Sequence, residues 1–153
     1  MQRFWIFQFD RPFQLQEEEI LLHSVNSFLQ KWATHGTMIL SDVQLLFHQF
    51  LFIQTQPESV TASGCAIDTL QKELKIIFEA QQWKVVDAGI IFYKTDSGFS
   101  PLHFSQVENA IHQGIITKDT LLVDISLGGT ENPNHLLLPA SESWVKRYLS
   151  AKV

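Results

Sequence analysis

The chain has 153 residues, 45% hydrophobic and 12% aromatic, enough for one domain with a substantial core. A formal net charge of -5, with only 11 Lys and Arg spread along the chain, argues against a nucleic-acid backbone or an anionic membrane surface as partner. A single cysteine excludes an internal disulfide. The first residues lack a secretory h-region, and no apolar run approaches the roughly 20 residues a membrane helix needs, so a soluble, cytoplasmic protein is expected.

In chain order, Phe4 to Phe9 is an aromatic-rich run suited to a buried central strand, ended by Asp10-Arg11-Pro12. A helical pattern follows over about Leu15 to Thr34, with Leu21, Val25, Phe28 and Trp32 on one stripe and Gly36 as a stop signal. Met38 to Phe47 and Phe50 to Thr55 read as two strands joined by a tight turn at His48-Gln49, which lacks the usual Asn-Gly or Asp-Gly signature. Ala62 to Ile67 opens a second helix running to about Gln82, with Ile67, Leu70, Leu74, Ile77 and Phe78 facing the core. Val85 to Tyr93 reads as a further strand, and Thr95 to Gly98 as a turn.

The order strand, helix, strand, strand, helix, strand predicts an α+β fold. It is a ferredoxin-like βαββαβ sandwich over 1–94, antiparallel, with both helices on one face. Residues 95–153 read as a C-terminal α/β appendage packed on that core within one compact domain. Ser105 to Glu108 has the form of a capping box opening a short helix that stops at Gly114. Thr120 to Ile125 is a strand, Gly128 to Pro139 a loop, and Ser141 to Leu149 a final helix bearing Trp144, Arg147 and Tyr148.

The most informative segment is Ala62-Ser63-Gly64-Cys65-Ala66-Ile67. A thiol at a helix start has free N–H groups and the helix dipole favouring its thiolate. Helical phase puts Cys65 away from the apolar stripe, sharing a face with Lys72 and near Ile76. Asp68, one turn on, opposes a lowered thiol pKa, and no general base stands nearby in sequence. The bland alternative is that Ser63 caps the helix and the small residues permit close packing.

Six histidines (His23, His35, His48, His103, His112 and His135) form no metal-ligand spacing, so no metal site and no cofactor are expected. His35, beside Gly36, reads as a helix C-terminal residue, and as the base that would serve Cys65 if the site were catalytic. No phosphate loop or nucleophile elbow is present, and Gly128-Gly129 has neither a following Lys nor a close helix. Asp87 and Asp124 could meet as a carboxylate pair only through the fold. Ser143 and Arg147 lie four apart on the last helix, where Arg147 could take an anionic ligand or pair with Asp68 or a C-terminal carbonyl.

Several stretches together resemble a family of small uncharacterised bacterial proteins. They are Trp5-Ile6-Phe7-Gln8 with Arg11, Trp32 to Gly36, Ala62 to Asp68, Gly114-Ile115 with Asp119-Thr120, and Ser143-Trp144 with Arg147. The resemblance covers nearly the whole chain in order. Members are often labelled "ABC transporter ATPase", a label the missing phosphate loop does not support. The resemblance implies no activity or cofactor. It does imply that His35, Cys65 and Arg147 belong to recurring motifs. Ala66 departs from the family's usual polar residue, removing a hydroxyl beside the thiol.

Two functions are therefore expected as alternatives. One is a binding or interaction module with an unknown small anionic ligand near Ser63, Gly64, Cys65 and Arg147, or a protein partner, the aromatic appendage leaving room for a homodimer. The other is a thiol-dependent enzyme or redox sensor using Cys65 with His35.

Overall fold

The computed structural model describes residues 2–150, which divide into two compact units between Val86 and Asp87. The chain is α+β throughout. The boundary differs from the one expected at 94/95.

In the first unit, β1 (Phe4–Gln8), β4 (Ser41–Leu46) and β5 (Phe50–Thr55) form an antiparallel sheet in the order β1-β5-β4. Helices α1 (Leu15–Leu29) and α2 (Gly64–Ala80) supply the rest of its core. Leu21, Val25, Leu29, Leu51, Ile53, Leu70 and Leu74 are at most 3% exposed there, and Trp5, Phe7, Val43 and Leu45 pack against them. Burying such side chains contributes about 1.5–3 kcal/mol each.

The first helix stops at Leu29, short of the expected Thr34. Trp32 still lies in the core, at 2% exposure, but on the chain leading into a small hairpin, β2 (Ala33–Thr34) with β3 (Thr37–Met38). His35 (φ 50) and Gly36 (φ 80) are the two central residues of that hairpin's turn, both in the left-handed region. His35-Gly36 is thus a hairpin turn and not a helix end. The turn between β4 and β5 is centred on Phe47 (φ 52) and His48 (φ 60), one residue earlier than expected. Gln49 is buried there, its side-chain amide donating to Phe9 O at 2.9 Å.

Helix α2 ends in a left-handed cap at Gln82 (φ 59): Gln82 N–H donates to Glu79 O (3.1 Å) and Trp83 N–H to Phe78 O (3.0 Å). The strand expected from Val85 does not form here. A single antiparallel bridge, Phe9–Val85, forms just past the end of β1, flanked by Val86 N–H donating to Gln8 O at 2.7 Å and Asp10 N–H to Lys84 O at 3.1 Å. The chain then leaves the sheet, so the four-stranded sandwich sheet expected over 1–94 has three strands.

The missing strand begins later, as β6 (Ile90–Thr95), and belongs to the second unit. There it joins β7 (Gly98–His103), β8 (Leu121–Val123) and β9 (Leu137–Pro139) in the order β7-β6-β8-β9. Asp96-Ser97 forms the β6–β7 turn, and β7, absent from the sequence reading, carries Pro101 on an edge strand, where a missing N–H is tolerated. The expected capping box at Ser105 does not form. His103 instead accepts from Ser105 N–H, and α3 (Val107–His112) starts two residues later, ending before Gly114 (φ 76). The last helix, α4 (Lys146–Ser150), is shorter than expected and is preceded by a 3-10 turn over Ala140–Glu142. Val107, Ala110, Ile111, Leu122 and Val145 are core residues of this unit.

Candidate functional site

The Ala62–Ile67 segment opens α2 as expected, with Ser63 as its cap: Ser63 Oγ accepts from Ala66 N–H at 3.2 Å. The β2–β3 hairpin braces this start. Thr34 Oγ1 donates to Ser63 Oγ (2.8 Å) and accepts from Ser63 N–H (3.3 Å), while the buried Trp32 indole donates to Ala66 O (2.8 Å). Two motifs thirty residues apart in sequence, Trp32 to Gly36 and Ala62 to Ile67, are therefore one structural unit. Ala62 and Ala66 are both buried in this unit.

Gly64 and Cys65 stand outside that packing, and Cys65 is an exposed free thiol. The Thr34–Ser63 bond brings the His35 turn to the same end of α2, where His35 is exposed. Asp68 is taken by Lys72 at 2.9 Å, which raises the ammonium pKa above its usual value. Ile76, near the face of Cys65, is 61% exposed.

Arg147 belongs to the second unit. Its guanidinium donates to the Tyr148 hydroxyl at 2.8 Å and lies 4.8 Å from that ring's centre. Ser143 precedes α4 instead of sharing its face: its hydroxyl donates to Ala140 O and accepts from Val145 N–H. Asp124 and Asp87 each serve their own loop, Asp124 accepting from Ser126 and Gly128, Asp87 from Gly89 N–H. Among the described residues there is no group of three or more His, Cys, Asp or Glu that could hold a metal. Ile115, Asp119 and Thr120 line a shallow groove of about 350 Å³ in the second unit with Tyr93 and Lys94.

A larger groove, of about 650 Å³, lies in the first unit beside α2, and the sequence reading did not anticipate it. Its apolar wall is Phe7, Leu74, Phe78, Trp83 and Val85. Lys72, Lys75 and Lys84 stand around it with a single acid, Glu79. Phe7, Phe78, Phe9, Phe13 and Trp83 form a run of edge-to-face rings with centroids 4.7–5.8 Å apart, which fixes the wall.

Glu17 anchors the far end of that run. Its carboxylate takes both Arg11 nitrogens at 2.9 Å, Gln14 N–H at 3.0 Å and the Trp83 indole N–H at 3.1 Å. The Arg11 hydrogen bonds, then the Gln14 amide, hold the Glu17 carboxyl at about 2, well below its usual range.

Comparisons with protein-family models, with curated proteins and with solved structures each returned no match.

Proposed function

We propose that this chain is a small binding or interaction module whose binding surface is the groove beside α2. The observation that carries this reading is a 650 Å³ apolar concavity with a fixed aromatic wall and three lysines against one glutamate around it. The apolar wall supplies affinity, and the lysines favour an anionic group on whatever lies there.

In this reading the first unit is a ferredoxin-like split βαβ sandwich whose fourth strand has shrunk to the Phe9–Val85 bridge. The order β1-β5-β4 and the antiparallel directions support it, and the shortened strand is why α2 keeps an uncovered flank. The proposal extends to the family of small uncharacterised bacterial proteins that the motifs resemble, and to a cytoplasmic, nucleic-acid-free setting. No helix is long and apolar enough to cross a membrane among the described residues.

An anilinonaphthalene sulfonate dye, apolar with one anionic group, tests the reading. Saturable one-to-one fluorescence enhancement is expected, weakened several-fold by Val85→Glu with an unchanged far-ultraviolet circular dichroism spectrum. Non-saturable binding, or binding indifferent to Val85→Glu, refutes it.

A second reading keeps the start of α2 as the site: a small anion at the N–H groups of Gly64 and Cys65, or thiol chemistry at Cys65 with His35 as base. The exposed thiol and the hairpin that brings the His35 turn toward it support this alternative. Thiol alkylation rates from pH 5 to 9 decide it. A profile with the ordinary free-thiol midpoint of about 8.5, unchanged by His35→Gln, rules out an activated cysteine.

A further inference from the structure

We infer that the groove receives an extended, acidic peptide segment, which adds to the free edge of β1 as a fourth strand; this rests on the groove being the binding surface. In β1, Thr55 N–H donates to Arg3 O (2.8 Å) and Phe9 N–H to Gln49 O (3.2 Å). The odd-numbered residues therefore turn their backbone groups toward β5, and the even-numbered ones turn theirs outward. Two of the outward positions are served by the chain itself: Gln8 O by Val86 N–H, and Asp10 N–H by Lys84 O at 3.1 Å. The chain then departs at Asp87. The outward N–H and C=O groups of Phe4 and Ile6 have no hydrogen-bond partner among the described residues.

An open ladder of this kind is specific for polypeptide backbone, which distinguishes the occupant from a lipid or a small aromatic acid. The same missing strand leaves the outer flank of α2 uncovered. The strand that satisfies Phe4 and Ile6 would therefore place alternate side chains into the groove beside Phe7, Leu74 and Phe78.

Charge selects among peptides. Lys72 and Lys75 each have a carboxylate on their own helix, at 2.9 and 3.9 Å, whereas the Lys84 ammonium has no carboxylate partner among the described residues. A second copy of the chain fits worse. Pairing two β1 edges through Phe4 and Ile6 alone would set Arg3 of one opposite Phe7 of the other, adding a cation to a lysine-rimmed groove.

The test uses the full chain and a fluorescein-labelled peptide, Glu-Thr-Val-Thr-Leu-Thr-Glu, read by anisotropy. Two further peptides carry backbone N-methyl groups, one on the odd and one on the even residues. One methylated set should lose about tenfold or more in affinity and the other should bind as the parent, because an edge strand turns only alternate N–H groups to its neighbour. Replacing both Glu by Lys should weaken binding at least threefold or so. Equal effects of the two methylated sets, or tighter binding of the Lys peptide, overturns the inference. Absent peptide binding with the dye still bound overturns strand addition alone, and loss of both overturns the groove reading too. A dimer in sedimentation that the peptide dissociates would assign the edge to a second copy and overturn the choice of occupant.

Discussion

Replacing Glu17 with glutamine should destabilise the first unit in a pH-dependent way. Glu17 ties together three stretches of chain: Arg11 after β1, Gln14 at the start of α1, and Trp83 after α2. Its carboxyl is held at about 2, against 4.5 when unperturbed. Taken at face value, that difference of roughly 2.5 units corresponds to about 3.4 kcal/mol. Arg11 is 52% exposed and the Glu17 side chain 24%, so solvent screening reduces the contribution to about 1–2 kcal/mol. Because the folded-state pKa is depressed, the contribution is present above about pH 4.5 and is lost as pH falls toward 2. Glu17→Gln keeps the shape and one acceptor oxygen but loses the charge. Urea unfolding followed by tryptophan emission should show wild type about 1–2 kcal/mol more stable at pH 7, the gap closing by pH 2–2.5. Three of the four tryptophans (Trp5, Trp32 and Trp83) lie in the first unit, so the signal reports it. A gap of equal size at pH 7 and pH 2.5 would refute the charged-hub account, and a gap below about 0.3 kcal/mol would show the exposed pair to be worth nothing.

Other substitutions test separate features. Gln82→Gly should stabilise the chain by about 0.5–1 kcal/mol, since a left-handed cap at φ 59 favours glycine; destabilisation in the same urea assay would contradict the cap. Ser63→Ala should cost about 1 kcal/mol or more in the same assay by removing the α2 cap and the Thr34 bond together, and Thr34→Val added to it should cost little more, because the two share one interaction. Cys65 should react completely with Ellman's reagent in the native protein without denaturant; protection until unfolding would be at odds with its exposure.

Helix α2 was legible because its core stripe, its Ser63 cap and its small opening residues all agree, and β5 because four apolar residues run together. The end of α1 was not. Trp32 continues the helical stripe in sequence, yet it reaches the core from a hairpin lead, so packing satisfied the periodicity without a helix. His35-Gly36 signals a chain reversal, and a helix stop and a two-residue hairpin need the same left-handed backbone, so residue type alone could not separate them. The candidate groove was illegible for a different reason. Leu74 and Phe78 fall on the core stripe of the sequence, and they are buried, but which flank of a helix stays uncovered depends on whether the next strand completes the sheet. Apolar residues at Val85-Val86 and at Ile90 to Phe92 support either outcome. It is the later run, as β6, that pairs in the second unit's sheet.

The pairing of β1 with β5 also fixes an order of events during synthesis. Phe4-Trp5-Ile6-Phe7 is uncharged and rich in strand-forming residues, and it leaves the ribosome before its partner strand. Its partners, Phe50 to Gln54, follow some forty to fifty residues later, a delay of seconds at about 5–20 residues per second. For that interval this apolar segment lacks the strand that pairs with it. Escape from misassembly then depends on α1, made between them, reaching the strand's apolar face first. Slowing translation before Phe50 should therefore lower soluble yield more than slowing it after Val86, even though the finished protein is the same.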